Sequence, residues 1–250
     1  MRVQQQHAFI LHQRDFSETS LLLEAYSRRH GRVGLIVKGA RRPNSKQRGV
    51  LKPFQQLLIG WSGRGELMVL TGAEVDGANA ELIGNSLYCG FYLNELMLRL
   101  LHRHDPHELL FDCYRTALEG LCQTGGQEEI LRIFEKRLLR ELGYGLLLER
   151  EHGERDPIES DAMYDYVLEQ GPVRIRHPEL GARVQGVRVR GSSLLALAAE
   201  RLEDSTVLRE AKALMRAALA PHLGDKPLQS RRLFQGRGPK LANIVADAPA

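Results

Sequence analysis

The chain has 250 residues, 26% of them charged and 43% hydrophobic, with a net charge of +4. That length buries one large core or two small ones, and the composition is that of a folded protein rather than a disordered one. The charge is unevenly spread: residues 1–65 carry twelve Lys/Arg against three acids, a net +9, whereas the remainder carries 23 against 28, a net −5. A basic N-terminal third on a mildly acidic body points to one module that meets a polyanion and another with a different task.

Three cysteines, Cys89, Cys113 and Cys122, lie in apolar, helical-looking contexts with no CxxC spacing. They read as small buried residues in a reducing compartment. The N-terminus lacks the apolar stretch and cleavage site of a signal peptide. No run reaches the ~18 apolar residues of a membrane span. The expected setting is cytoplasmic.

From about residue 6 to 76 the pattern favours strands: His7–His12, Thr19–Tyr26, Arg32–Lys38, Pro53–Trp61 and Glu66–Val75. Ser62–Gly65 is a hairpin connector between the last two. Five strands in a short span with a basic face predict a small barrel of the OB type. Between the third and fourth strands lies the richest cationic stretch, GRVGLIVKGARRPNSKQRGVLK at positions 31–52, with seven cations and no acid. Gly39, Pro43, Asn44, Ser45 and Gly49 break any long helix there, so a strand delivers a cationic loop to the edge of the barrel. Such a surface attracts phosphate or an acidic partner.

From Ala80 the apolar period becomes helical. Glu81–Leu101 reads as a buried central helix. Asp105-Pro106-His107-Glu108 reads as cap, N1 proline and first-turn acid of a second helix to about Gln123. Glu128–Leu142 is a third, closed by Gly143 in the left-handed conformation. Tyr164–Leu168 and Val173–Ile175 form a hairpin around Gly171-Pro172. Ser192 or Ser193 caps a short helix through Leu202, and Thr206–Leu219 is another, ended by Pro221 and Gly224. The fold class is α+β: an OB barrel over 1–79, then a mainly helical domain over 80–236 with a small β-hairpin insertion in 146–190, and a flexible tail over 237–250.

No glycine-rich nucleotide loop, zinc-protease motif or nucleophile elbow occurs. The best catalytic candidate is His102-Arg103-His104-Asp105-Pro106-His107, which would suit a metal-dependent nuclease; the plainer reading is a solvated loop with a capping Asp. The chain argues against an enzyme chiefly by lacking a site, and it calls for no cofactor. Phe9, Phe16, Tyr26, Phe54 and Trp61 are stacking candidates beside the cations, with the barrel core as the alternative for each; Phe16, next to a turn, is the best placed for exposure. An RNA-binding OB protein remains an alternative, since stacking and phosphate contacts do not distinguish the two nucleic acids.

The run AFILHQRDFSETSLLLEAYSRRHGRVGLIVKGARRP, then LKPFQ and GRGEL, resembles the start of the RecO family of recombination mediators and DNA repair proteins. LYCGFYLNELMLRLL, RIFEKRLLRELGYG and KPLQSRRLF extend the resemblance over residues 5–235. It implies a non-catalytic protein that binds single- and double-stranded DNA and anneals complementary strands. It also implies work with RecR to help RecA displace single-stranded-DNA-binding protein (SSB), whose acidic tail docks on the helical domain. Carried over by residue, DNA binding falls on Lys38, Arg41 and Arg42, with Arg32, Lys46 and Arg48 added by charge. Tail docking falls on Arg132, Phe134, Lys136 and Arg140, the three cations recurring at i, i+4 and i+8. Some members carry a four-cysteine zinc site after the GYG helix end. Here residues 146–190 hold no Cys, only His152 and His177, so no metal is expected.

Overall fold

Alternating and continuous apolar runs in the first 75 residues form five strands: β1 (Arg2–Phe16), β2 (Ser20–Ser27), β3 (Gly31–Val37), β4 (Leu57–Ser62) and β5 (Leu67–Val75). In the computed structural model, which describes residues 1–77, 81–153, 156–176, 185–230 and 233, they close into a barrel in the order β1-β2-β3-β5-β4. All neighbours are antiparallel except β3 and β5, and β4 closes on β1. This is the expected OB-type barrel. β1 is longer than its apolar stretch suggests, and register shifts at Val3/Gln6 and Ile10/His12 let it bend around two partners. Residues 53–56 precede β4 instead of forming part of it.

Ile10, Leu23, Val33, Leu35, Leu57, Ile59 and Trp61 fill the barrel. β1 is buried on both faces from Ala8 to His12 because helices cover its outside. These are α2 (Gly84–Leu100) and α3 (Glu108–Leu121), following a four-residue α1 (Gln47–Val50) in the basic connection. Phe9 packs on Phe111 and Tyr114 at centroid separations of 5.2 and 5.0 Å, and Tyr26 on Phe111 at 5.7 Å. Asn94 donates to the Leu11 carbonyl at 2.9 Å and accepts from the Tyr114 hydroxyl. Burial raises the Tyr114 pKa, which keeps it a donor. Gly31, at φ +62°, is required where the chain between α2 and α3 crosses β3: a Cβ there would lie 2.2 Å from the Asp105 carbonyl oxygen.

Contacts divide the chain into two compact units. One comprises Met1–Gly125 and the chain from Pro227, and the other Gly126–Lys226. The returning segment is gripped in the first unit by Glu95, whose carboxylate accepts from the backbone N–H of Gln229 and Ser230, each at 2.8 Å, and from the Ser230 hydroxyl.

The second unit holds α4 (Gln127–Glu141), strands β6 (Met163–Val167), β7 (Gly171–Arg174) and β8 (Val187–Arg190), then α5 (Gly191–Ala199) and α6 (Ser205–Leu223). The small sheet has the order β7-β6-β8, so the expected hairpin is joined by a third strand. The Asp165 carboxylate brings it in by accepting from the N–H groups of Gln185 (2.7 Å) and Gly186 (2.9 Å). The expected Asp105 cap is not formed: α3 begins at Glu108, with His107 at the cap position and no side-chain hydrogen bond. Neither Ser192 nor Ser193 caps α5, whose cap position is Arg190. Pro221 lies inside α6, which continues to Leu223 before Gly224. Gly143 takes its left-handed cap at φ +85°. The proposed tail over 237–250 and His177 lie outside the described residues.

Asp204 caps α6, accepting from the N–H of Thr206 at 2.8 Å and of Val207 at 3.0 Å. Asp204→Ala should cost about 1 kcal/mol, read as a lower unfolding midpoint with the helix content of the native state unchanged.

Candidate nucleic-acid interface

The cationic loop leaves the end of β3 and is held to the barrel by two apolar anchors, Ala40 and Leu51, both buried in the barrel core. Between them the backbone makes successive turns, with Arg42 N–H to the Gly39 carbonyl at 3.2 Å and Ser45 N–H to that of Arg42 at 3.0 Å. Arg41 ties the loop to the β1–β2 turn: its N–H donates to the Thr19 carbonyl at 3.0 Å and its guanidinium to that of Ser17 at 2.7 Å. Anchoring the alanine and leucine inward leaves Lys38, Arg41, Arg42, Lys46 and Lys52 exposed. Arg41 pairs with Asp15 at 2.9 Å, but the Asp15 side chain is 67% exposed, and such a pair contributes little against water or a competing anion. Among the described residues, no ion pair within 4 Å engages Lys38, Arg42 or Lys46. The Arg48 side chain lies outside what the structure describes.

Arg32 is a correction to the cation set. It lies under α2, its residue only 8% exposed, where it donates to the carbonyls of Leu101 (3.0 Å) and Leu98 and pairs with Glu24 at 3.3 Å. Burial lowers its pKa, with Glu24 opposing. On the other side Arg103 also binds Glu24, which raises the Arg103 pKa, and reaches Glu66 at 3.6 Å. Arg32 therefore holds a helix to the barrel and offers nothing to an outside anion.

Of the five aromatics, Phe9, Tyr26, Phe54 and Trp61 are at most 5% exposed, whereas Phe16 is 43% exposed. Phe54 meets Phe91 edge-on at 5.2 Å, and Trp61 meets His30 edge-on at 5.3 Å. Burial, then the charges of His104 and Arg29, lower the His30 pKa. The His102–His107 cluster is dispersed. His102 and His104 are exposed, Arg103 is engaged, and His107 sits 3.4 Å from Asp105. Among the described residues no three His, Cys, Asp or Glu gather as a metal would require. The segment after Gly143 does not fit zinc either: it has no Cys, and the His152 ring contacts the Gln170 carbonyl at 3.0 Å.

The expected α4 stripe is also corrected. Arg132 is 7% exposed and donates to Glu135 at 2.6 Å, and Phe134 is a core residue at 2%. Lys136 donates to the Leu197 and Ala198 carbonyls at the end of α5, each at 3.0 Å, and pairs with Glu200 at 2.8 Å. Of the four, Arg140 is exposed. Burial works against the Glu200 carboxylate, but hydrogen bonds from Arg137 and Lys136 outweigh it and hold the pKa below its ordinary 4.5. A depressed carboxylate contributes stability that is present above its unfolded pKa and disappears as pH falls through the lower folded value. The second unit should accordingly lose stability on acidification below about pH 4.5. Glu200→Gln should flatten that dependence in a pH series of unfolding midpoints.

A closed five-stranded barrel with an exposed cationic loop, followed by helices and a three-stranded sheet, defines an OB-barrel protein of the α+β class. No helix among the described residues is long and apolar enough to cross a membrane. The family model for the Recombination protein O N terminal matches residues 1–78, and that for the Recombination protein O C terminal matches 84–232. The chain is 49% identical over 235 residues to the DNA repair protein RecO of Nitrosococcus oceani, covering 94% of each chain. It is 49% identical over 245 residues to that of Alkalilimnicola ehrlichii, covering 96% of this chain and 95% of the relative. The relative from Dechloromonas aromatica is 46% identical over 237 residues, with 94% and 96% covered. The chain belongs to the RecO family of DNA repair and recombination proteins.

Proposed function

We propose that this protein is a non-catalytic recombination mediator. It binds single- and double-stranded DNA through the loop cations Lys38, Arg41, Arg42 and Lys46, with Arg48 and Lys52 adjoining them. It anneals complementary strands and, with RecR, helps load RecA onto SSB-coated DNA. The observation that carries the reading is a loop anchored by Ala40 and Leu51 that leaves Lys38, Arg41, Arg42 and Lys46 outward, with Arg41 paired to the well-solvated Asp15. Neutralising phosphates there lowers the repulsion between two strands brought together. Docking of the acidic SSB tail on the helical domain falls to Arg140, since Arg132, Phe134 and Lys136 serve the packing of α4. The family and the open cation surface support this reading.

A salt titration of single-strand affinity tests it. Four phosphate contacts predict a slope of log K against log salt of about −3. A slope near zero, with binding no weaker in salt, would overturn the loop as the DNA grip.

A further inference from the structure

Phe16 ends β1 with its ring open to solvent, while the other four aromatics of the barrel region are buried. Its facing follows from strand alternation. Asp15 pairs with Leu21, and Leu21 with Val37. Val37 belongs to the barrel core and Leu21 packs against it, so the residues one step further turn to the outer face. That places Phe16 beside Ser20, its direct partner on β2, with Lys38, one residue past Val37, next in line. Arg14, two residues before Phe16, shares the face. The ring thus stands between two cations, with Arg14 about 7 Å along the strand and Lys38 about 10 Å away across two strand spacings. Ser20, the side chain between Phe16 and Lys38, is too small to cover either. Among the described residues no ion pair within 4 Å engages Arg14 or Lys38. Arg41 locks this corner to the cationic loop through its bonds to the Thr19 and Ser17 carbonyls, at 3.0 and 2.7 Å, so ring and cations are held as one surface.

A partner matching this face is flat and apolar where it meets the ring and anionic on either side of it. We infer that Phe16 is the platform on which one unpaired base of a bound single strand stacks, with Arg14 and Lys38 on the flanking phosphates. The inference rests on the DNA-binding reading above and deepens it, adding Phe16 and Arg14 to the interface. Aromatic rings beside a basic track are the general means of holding unpaired bases, because every base has a π-face. A duplex keeps its bases stacked on one another and offers the ring none without extrusion. Phe16 therefore favours single strands, whereas the phosphate contacts alone favour none.

The test measures, by fluorescence anisotropy on the full chain over a salt series, the affinity for a labelled strand of about 12 nucleotides and for a strand of the same length that is abasic throughout. Phe16→Ala should bind the intact strand about 5–10-fold more weakly than the wild type. It should bind the abasic strand as the wild type does, since one partner of the stack is already missing there. Its salt slope should be unchanged, because no cation is removed. Phe16→Trp, which keeps a ring at the position, should restore the affinity for the intact strand. Arg14→Ala should instead lower the slope by about 0.7 on both strands. The exposed position predicts that Phe16→Ala unfolds in urea at the wild-type midpoint, read from the buried Trp61. Wild-type affinity of Phe16→Ala for the intact strand, or an equal loss on both strands, overturns the platform while leaving the phosphate grip intact. A wild-type slope in Arg14→Ala removes Arg14 from the interface. Failure of the wild-type protein to bind either strand in a salt-dependent way overturns the DNA reading itself, and the platform with it.

Discussion

Glu24→Ala should lower the unfolding free energy by about 3–5 kcal/mol, the range expected when one partner of a buried ion pair is removed. The Glu24 side chain is 12% exposed and that of Arg32 10%. The carboxylate lies between two guanidiniums, with Arg32 at 3.3 Å on one side and Arg103 on the other. Alanine would leave Arg32 charged, shielded from water and facing Arg103 with nothing between them. The carbonyls of Leu98 and Leu101 would remain as acceptors, but they carry no net charge to offset the desolvation. The chain's lone tryptophan, Trp61, is wholly buried in the barrel, so its fluorescence in urea reports this unit directly. Removing both charges in Glu24→Met/Arg32→Met should recover most of the loss, because replacing a whole buried pair by apolar groups is often close to neutral. A double variant as unstable as Glu24→Ala would show that the damage comes from packing and not from an orphaned charge.

Arg32 also shows where sequence reading stops. The strands were legible because Val, Leu and Ile runs bounded by glycine and polar turns need no partner to be recognised, and the exposed cation run was legible because charge is simply counted. What the chain does not reveal is which outer face of the barrel is covered. Arg32 sits in β3 among apolar neighbours, and only the approach of α2 turns a surface cation into a buried one. The α4 stripe failed in the same way. Arg132, Lys136 and Arg140 do share a helical face, but that face turns inward at its first two positions, toward Glu135 and the end of α5. A signal was present in Glu135, three residues after Arg132, which offers an internal partner. β8 was missed for another reason: Val187–Arg190 has two apolar residues, and its place is set by the distant carboxylate of Asp165. Local patterns carry periodicity and charge, whereas burial of a polar group depends on contacts distant in sequence.

The same distinction gives the second large effect. Replacing Lys38, Arg41 and Arg42 together by alanine should reduce the salt slope of single-strand binding by about 2, at roughly 0.7 per phosphate contact, with affinity falling roughly 100-fold at low salt. The variant and wild-type affinities should converge as salt rises, because screening removes the very term that the variant lacks. Stability should change little: these side chains are exposed, and surface charges away from buried networks usually matter by less than ~0.5 kcal/mol. The anchors Ala40 and Leu51 remain to hold the loop, although Arg41 gives up its bonds to Ser17 and Asp15. Arg32→Ala should do the reverse, lowering stability while leaving the salt slope of the folded protein as in the wild type. The two variants thus separate the cations proposed to meet phosphate from one that holds a helix. A triple variant with the wild-type slope would mean that phosphates are gripped elsewhere, and that the loop's charge does no more than keep the open end of the barrel solvated.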